Sequence, residues 1–408
     1  MGYMSNVKKQ YWISFFHSLI PAYVIERLFN FQRGMNVQTI VYAEIIYAFT
    51  VTVFEIPSGI MADSFGRKRM LVISGVLAAA ELLLVLFAHS FLQFAAAIFL
   101  AGVSTAFSSG SENALLYDSL LHEGRQDDFE KLLGRLSAVD FIGSTAAALG
   151  GGVLANFFDY EFNYIISIFS MCTAAAVALT LKEPPVLTKS ESEISGAARY
   201  AKQAVSVFRS QPTVLLFCLT GAVLGACMTY LDEFWQVVSD NVGIPVMLFG
   251  AIGVSFGAVR TPGALLAHKL KEKFGYRRIL TCLIAVSAVG YAAVFFVRNA
   301  FCLVPMLPAA LAAGIADPLV AGYLHRHTDS DIRATVESFS SLGLRVAAVG
   351  VGLLFGRIAA ERSIFAGFLA LGAVCFGYLG LFALGGGKYF RGEKEETKRK
   401  AERRRSHS

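Results

Sequence analysis

Apolar residues in this chain come in runs of about twenty, the length a helix needs to cross a bilayer, separated by short polar or charged stretches. The pattern predicts twelve spans. Six fall near 11–31, 39–60, 70–89, 92–114, 135–157 and 162–182. Six more fall near 212–236, 246–268, 277–297, 300–323, 335–357 and 363–385. Helices are the only choice, because a membrane barrel would show alternating segments of about 10 residues. Composition agrees. The 408 residues are 55% hydrophobic and 16% charged, whereas a soluble domain runs at about 45–50% apolar and about 25% charged. This argues against a soluble enzyme and rules out a disordered chain or a disulfide scaffold.

Charge sets the orientation. With the N-terminus in the cytoplasm, most of the 36 Lys and Arg fall at the N-terminal end, in alternate loops, in the central interval or in the tail. Only Arg27, Arg33, Arg298, Arg357 and Arg362 fall on the other side, and Arg260 and Arg345 lie within spans. Cytoplasmic loops carry the basic excess, so both termini are expected inside. The net charge of +6 comes without a nucleic-acid reading motif, and nucleic-acid binding is set aside.

The longest internal polar interval carries Pro184-Pro185 and Lys189-Ser190-Glu191-Ser192-Glu193, and it divides the spans six and six. The expected organisation is a bundle at 1–182, a cytoplasmic linker at 183–211, a second bundle at 212–387 and a basic cytoplasmic tail at 388–408. The six cysteines sit in apolar runs without CxxC spacing and read as small buried hydrophobes. No metal or cofactor is expected. His325-x-His327 with Asp329 and Asp331 reads as a loop rather than a metal site. HExxH, GxSxG and GxxxxGK[ST] are absent, which argues against an enzyme or an ATP-driven pump.

The halves echo each other. Gly59-Ile-Met-Ala-Asp63 leads to Gly66-Arg67-Lys68-Arg69, and Gly263-Ala-Leu-Leu-Ala267 leads to Gly275-Tyr-Arg277-Arg278. Such internal symmetry marks duplicated transporters. The first stretch, Gly59-x-x-x-Asp63-Ser64-x-Gly66-Arg67-Lys68, resembles the loop signature of the major facilitator superfamily, with Ser64 where the family usually has a basic residue. That resemblance implies an all-α polytopic membrane protein, with twelve transmembrane helices in two pseudo-symmetric six-helix bundles. It also implies that Gly59, Asp63, Gly66, Arg67 and Lys68 form a gating motif, in which Asp63 latches the start of span 11 near Ala334-Thr335. Two motifs of drug-exporting branches match poorly. Ile98 stands where an Arg is expected, and Ala147-Ala148 stand where Gly-Pro is expected.

A charge at the bilayer centre costs at least about 2.5–3.5 kcal/mol, so each one needs a reason. The candidates for proton coupling are Glu112 in span 4, Asp140 in span 5 and Glu55 in span 2. In the family's fold, spans 4 and 5 bring Glu112 and Asp140 near each other, and Arg345, Arg260 and Asp317 are the expected charge partners of the cavity. A structural ion pair with an Arg is the competing reading for each carboxylate. Glu44 shares a helix face with Glu55, about 16 Å away along the axis. Glu81 lies in span 3, which faces lipid in many members of that family, and is set aside. Glu26-Arg27 reads as an interfacial pair, and Tyr230, Phe234 and Trp235 read as an interfacial aromatic belt in preference to a cation site.

The resulting expectation is a multi-pass plasma-membrane carrier of the drug-efflux-like branch that works by alternating access, in proton-coupled export of amphipathic or drug-like small molecules. Its partners are a small-molecule substrate, protons and the lipid bilayer, and a monomer is expected. An uptake carrier for a small metabolite and a lipid flippase-like transporter are the alternatives.

Overall fold

The computed structural model describes residues 3–185, 208–328 and 330–405, giving the backbone alone for 330–335 and 385–405. Every regular element among these residues is helical. The helices are α1 (Met4–Ser18), α2 (Glu26–Gln32), α3 (Val37–Phe65), α4 (Arg67–Phe87), α5 (Phe91–His122), α6 (Phe129–Phe157) and α7 (Tyr160–Leu179). They continue as α8 (Pro212–Asn241), α9 (Phe249–Phe274), α10 (Tyr276–Phe296), α11 (Met306–His327), α12 (Ser330–Glu361) and α13 (Ile364–Arg405). Eleven of these, α3 to α13, are long and apolar enough to cross a membrane. Large apolar side chains stand on their outward faces, among them Phe169 at 74% and Leu265 at 75% exposure. Water would not tolerate so much apolar surface, and lipid does.

The predicted first span, 11–31, is a correction. The chain turns helical earlier, at Met4, and breaks into α1, a 3₁₀ turn over Pro21–Val24 and α2. Proline supplies no N–H, so a break here frees backbone groups that must be satisfied inside the protein. Side chains of α7 do this. Asn163 Nδ2 donates to the Pro21 carbonyl at 3.1 Å and to Gly151 at 3.0 Å. Ser167 Oγ accepts from Ala22 N–H at 3.0 Å, and Ser170 Oγ donates to Phe16 at 2.7 Å. Asn163 and Ser167 are fully buried.

The chain divides into two compact units, Met1–Glu191 with Ser239–Val254, and Ser192–Val238 with Ser255–Ser408. In the first, α4 packs on α5 and α7, and α1 packs on α6 and α7. Ser74 and Ser104 exchange hydrogen bonds of 2.9 and 2.8 Å between α4 and α5. In the second, α10 packs on α11 and α13. The third and sixth spans of each half therefore pair in the same way, which is the structural form of the sequence echo. Of the predicted linker at 183–211, residues 186–207, with Lys189 to Glu193, lie outside the described residues.

Two further expectations are corrected. Cys172 and Cys282 are exposed on outward helix faces, while the other four cysteines are buried. Tyr230, Phe234 and Trp235 do not form a belt, because they are buried at 2%, 0% and 6% exposure. Tyr230 stacks on Phe355 at 5.4 Å between ring centres and donates to the Ala348 carbonyl at 2.8 Å. In a uniformly apolar helix, sequence does not show which face meets protein and which meets lipid.

Candidate functional site

The Gly59-to-Lys68 motif spans the end of α3, the turn and the start of α4. Gly66 takes φ +97°, ψ 140°, a conformation open to glycine and strained for other residues. Its turn places Arg67 at the first position of α4. The guanidinium lies 3.7 Å from Asp63 Oδ1 and donates to the Ala114 carbonyl at 2.8 Å. It also pairs with Asp118 of α5, which is part-buried rather than a solvated surface carboxylate. Glu183, just past α7, caps α4. Its Oε1 accepts from Arg67 N–H at 2.7 Å and its Oε2 from Lys68 N–H at 2.8 Å. A carboxylate is favoured there by the unpaired N–H groups and the positive end of the helix dipole. The Asn6 amide secures the same segment, bonding both Lys182 N–H at 3.0 Å and the Lys182 carbonyl at 2.8 Å. Sequence reasoning missed Glu183 and Asn6. The signal for Glu183 was its place at a helix end, directly before Pro184-Pro185. Gly59 lies on the open side of α3, with nothing within 4 Å of an added Cβ.

Elsewhere in the first unit, Glu112, half-buried on α5, and Asp140, exposed on α6, lie near each other, as the family's arrangement of spans implied. The Asp140 carboxylate acts electrostatically on Glu112 and on His17 of α1. Asp140 Oδ1 accepts from Ser18 at 2.9 Å and from Ser14 as well. Ser14 and Ser18 sit one helical turn apart, so both hydroxyls reach one carboxylate. The Gln10 amide donates to the Glu112 carbonyl at 3.1 Å, and its buried Oε1 has no hydrogen-bond partner. Among the described residues, neither Glu112 nor Asp140 is ion-paired with Lys or Arg. Glu55 lies elsewhere, on an exposed face of α3.

In the second unit, Arg260 of α9 pairs with Asp232 of α8 at 2.6 Å and interacts with Asp317 of α11. A Cβ on Gly314 would stand 2.5 Å from the Arg260 carbonyl oxygen, so α9 and α11 cross with backbones almost touching. Arg345 is half-buried on α12. His325 pairs with Glu337 at 2.7 Å; Asp329 lies outside the described residues, as do the side chains of Asp331, Ala334 and Thr335.

The largest departure from expectation is at the opposite end of the first unit. Arg27 is not a loop charge. It is 3% exposed, held by Glu26 at 3.0 Å and by Glu44 at 2.7 Å. The predicted interfacial pair is thus part of a largely buried triad, Glu26–Arg27–Glu44. Glu81, set aside as lipid-facing, is half-buried on α4.

Paired charges inside a bundle of apolar helices, with backbone breaks satisfied by neighbouring helices, define a multi-pass membrane carrier rather than an enzyme. Residues 11–336 match the Major Facilitator Superfamily model, and the chain belongs to that family. It is 20% identical over 288 residues to the tetracycline resistance protein, class B, of Escherichia coli, covering 70% of each chain. It is 23% identical over 286 residues to the multidrug resistance protein MdtG of Citrobacter koseri, covering 69% of this chain and 68% of that one. The fold is similar to that of the nucleoside transporter NupG, with a TM-score of 0.71 at 14% identity over 94% of this chain and 99% of that one. It is also similar to a D-xylose–proton symporter, with a TM-score of 0.69 at 12% identity over 93% of this chain and 97% of that one. The chain is a secondary transporter of small molecules.

Proposed function

We propose that this transporter exports amphipathic, drug-like small molecules in exchange for protons, through twelve spans with both termini in the cytoplasm. The observation that carries the reading is the Glu112–Asp140 pair. Asp140 accepts from Ser14 and Ser18 and acts on Glu112 and His17, and among the described residues neither carboxylate is locked to an arginine or lysine. A carboxylic acid away from water, beside a second carboxylate, holds a proton readily. An arriving cationic substrate favours the ionised form and expels that proton, which is exchange. The resistance proteins among the relatives support the outward direction.

In this reading, residues 1–182 and 212–387 are the two bundles that rock about a midplane site. Residues 183–211 are the cytoplasmic linker, 388–408 the basic tail, and one chain is the working unit. Asp63 latches the start of span 11, while Arg345, Arg260 and Asp317 are charge partners of the cavity.

The test uses inverted membrane vesicles with an acid interior, followed by a pH-sensitive dye. A panel of lipophilic cations and neutral drugs is added to the native protein and to Glu112→Gln and Asp140→Asn. The expected result is dissipation of the gradient by at least one compound, lost in both variants. No response across the panel, or a response that both variants keep, would overturn the reading.

A further inference from the structure

Three polar side chains run along one face of α1. Asn6, Gln10 and Ser14 stand four residues apart, so each step is one helical turn, about 6 Å along the axis. They are 0%, 1% and 3% exposed. Asn6 Nδ2 donates to Ser119 Oγ of α5 at 2.9 Å, and Gln10 Nε2 donates to the Glu112 carbonyl of α5 at 3.1 Å. Ser14 Oγ donates to Asp140 of α6. Apolar side chains flank the file. Val7 packs with Leu116 and Leu132 on one side, and Ile13 with Leu71 and Leu115 on the other. The file starts near the Gly66 turn, where Asn6 also holds Lys182. It ends at the Asp140 carboxylate. Asp140 is open on one side, and the file reaches it from within the protein.

A buried polar group costs free energy unless it is bonded. Asn6 and Ser14 are bonded within the protein, whereas Gln10 is bonded on one side only. The Glu112 carbonyl can only accept, so the amide N–H₂ faces it and Oε1 is turned away. That oxygen is buried and bonds no group of the protein. Ser119 has the complementary deficit. It is 0% exposed, and among the described residues its hydroxyl accepts from Asn6 and donates to nothing. Here α1 and α5 run antiparallel, since Asn6 meets Ser119 and Gln10 meets Glu112. Ser119 therefore sits at the level of Asn6, one turn of α1, or about 6 Å, from Gln10. That is about twice a hydrogen-bond length, a gap that one water bridges.

We propose that Gln10 and Ser119 hold a buried water between them, and that this water is a relay on a route that carries protons along α1 to Asp140. The Ser119 hydroxyl donates to the water, and the water donates to Gln10 Oε1. Ser14 is one further turn along, the span of one more water. At Ser14 the step is closed: its O–H bond breaks as the proton passes to Asp140 Oδ1, and Oγ takes a new proton from the water side. One proton enters the route and one leaves it. The relay rests on the proton-exchange reading above, whereas the water site does not.

The experiment is infrared difference spectroscopy of the full-length protein in liposomes after a pH jump, in ordinary water and in water labelled with heavy oxygen. Heavy oxygen shifts the O–H bands of bound water and leaves protein bands in place. The expected result is a label-sensitive band of buried water that Gln10→Leu removes and Ser119→Ala shifts. The carboxylic acid C=O band of Asp140, assigned with Asp140→Asn, should rise at least about tenfold more slowly in Gln10→Leu, to an unchanged final area. Should Gln10→Leu fail to fold, Ser119→Ala decides, through the water band and the rate. A water band that both variants keep unshifted, or an unchanged rate, would overturn the proposal. A reduced final area would mean that Gln10 only shapes the surroundings of Asp140, and would overturn the relay as well. Absence of an Asp140 acid band in the native protein would remove the exchange reading and the relay with it, while the water band would leave the Gln10–Ser119 site standing.

Discussion

A Cβ on Gly66 would stand 2.9 Å from the carboxyl carbon of Glu183, the side chain that closes the start of α4. The motif glycine is therefore held by two constraints, a backbone conformation that other residues adopt with strain and a carboxylate seated against it. Gly66→Ala should lower stability by about 1–3 kcal/mol from the backbone alone. Glu183→Ala should cost about 1 kcal/mol through the lost cap, and Glu183→Gln less. Thermal unfolding midpoints of the detergent-solubilised protein check all three, and a Gly66→Ala midpoint equal to the native one would refute the strain argument.

Arg27 is the single guanidinium between Glu26 and Glu44, so its removal leaves buried carboxylates without compensation. Arg27→Met should destabilise the protein by about 3–5 kcal/mol. Adding Glu44→Gln to that variant should restore part of the loss, because one stranded charge disappears. A double-mutant cycle on unfolding midpoints tests this. Additive losses would mean that the two residues are not coupled.

Gly352 of α12 is where Tyr230 of α8 passes. A Cβ there would overlap the Tyr230 hydroxyl and stand 3.1 Å from its Cε1. Gly352→Ala should destabilise by about 1–3 kcal/mol through overpacking. Tyr230→Phe alone should cost about 1 kcal/mol for the lost bond to Ala348. Combined, they should cost less than their sum, since the clashing oxygen is gone. Melting curves of the four proteins give the comparison.

Glu112→Gln and Asp140→Asn should separate coupling from movement. Proton-driven transport should fall at least about tenfold, which corresponds to about 1.4 kcal/mol of lost coupling. Substrate-for-substrate exchange in the absence of a gradient should continue, because neutral side chains of the same shape leave the helices able to move. Counterflow with a radiolabelled substrate identified by the vesicle assay measures this. Loss of both activities together would indicate a structural role for the pocket.

Much of the molecule was legible in the sequence. Runs of apolar residues marked the spans α3 to α13 directly, since hydrocarbon demands a minimum length of apolar helix. Gly66 with Arg67 and Lys68 was readable because a tight turn and its charges are local in sequence. The meeting of Glu112 and Asp140 followed once the family's arrangement of spans was invoked. Less was legible about the first span, where Pro21 was visible but its consequence was not. Whether a proline bends a helix or breaks it depends on what can satisfy the freed backbone, and here that is Asn163 and Ser167, more than 140 residues away.

By itself, then, the sequence determined that this chain is a helical membrane carrier, where its helices run and which loop carries the family's motif. Those properties depend on composition and near-neighbour spacing. Tertiary structure alone decided which charges meet: Arg27 with Glu44, Glu183 with the start of α4, and Arg260 with Asp232. A charge in a membrane helix is stabilised by whatever lies across the helix interface. In helices apolar on every side, nothing in the one-dimensional pattern says which face that will be.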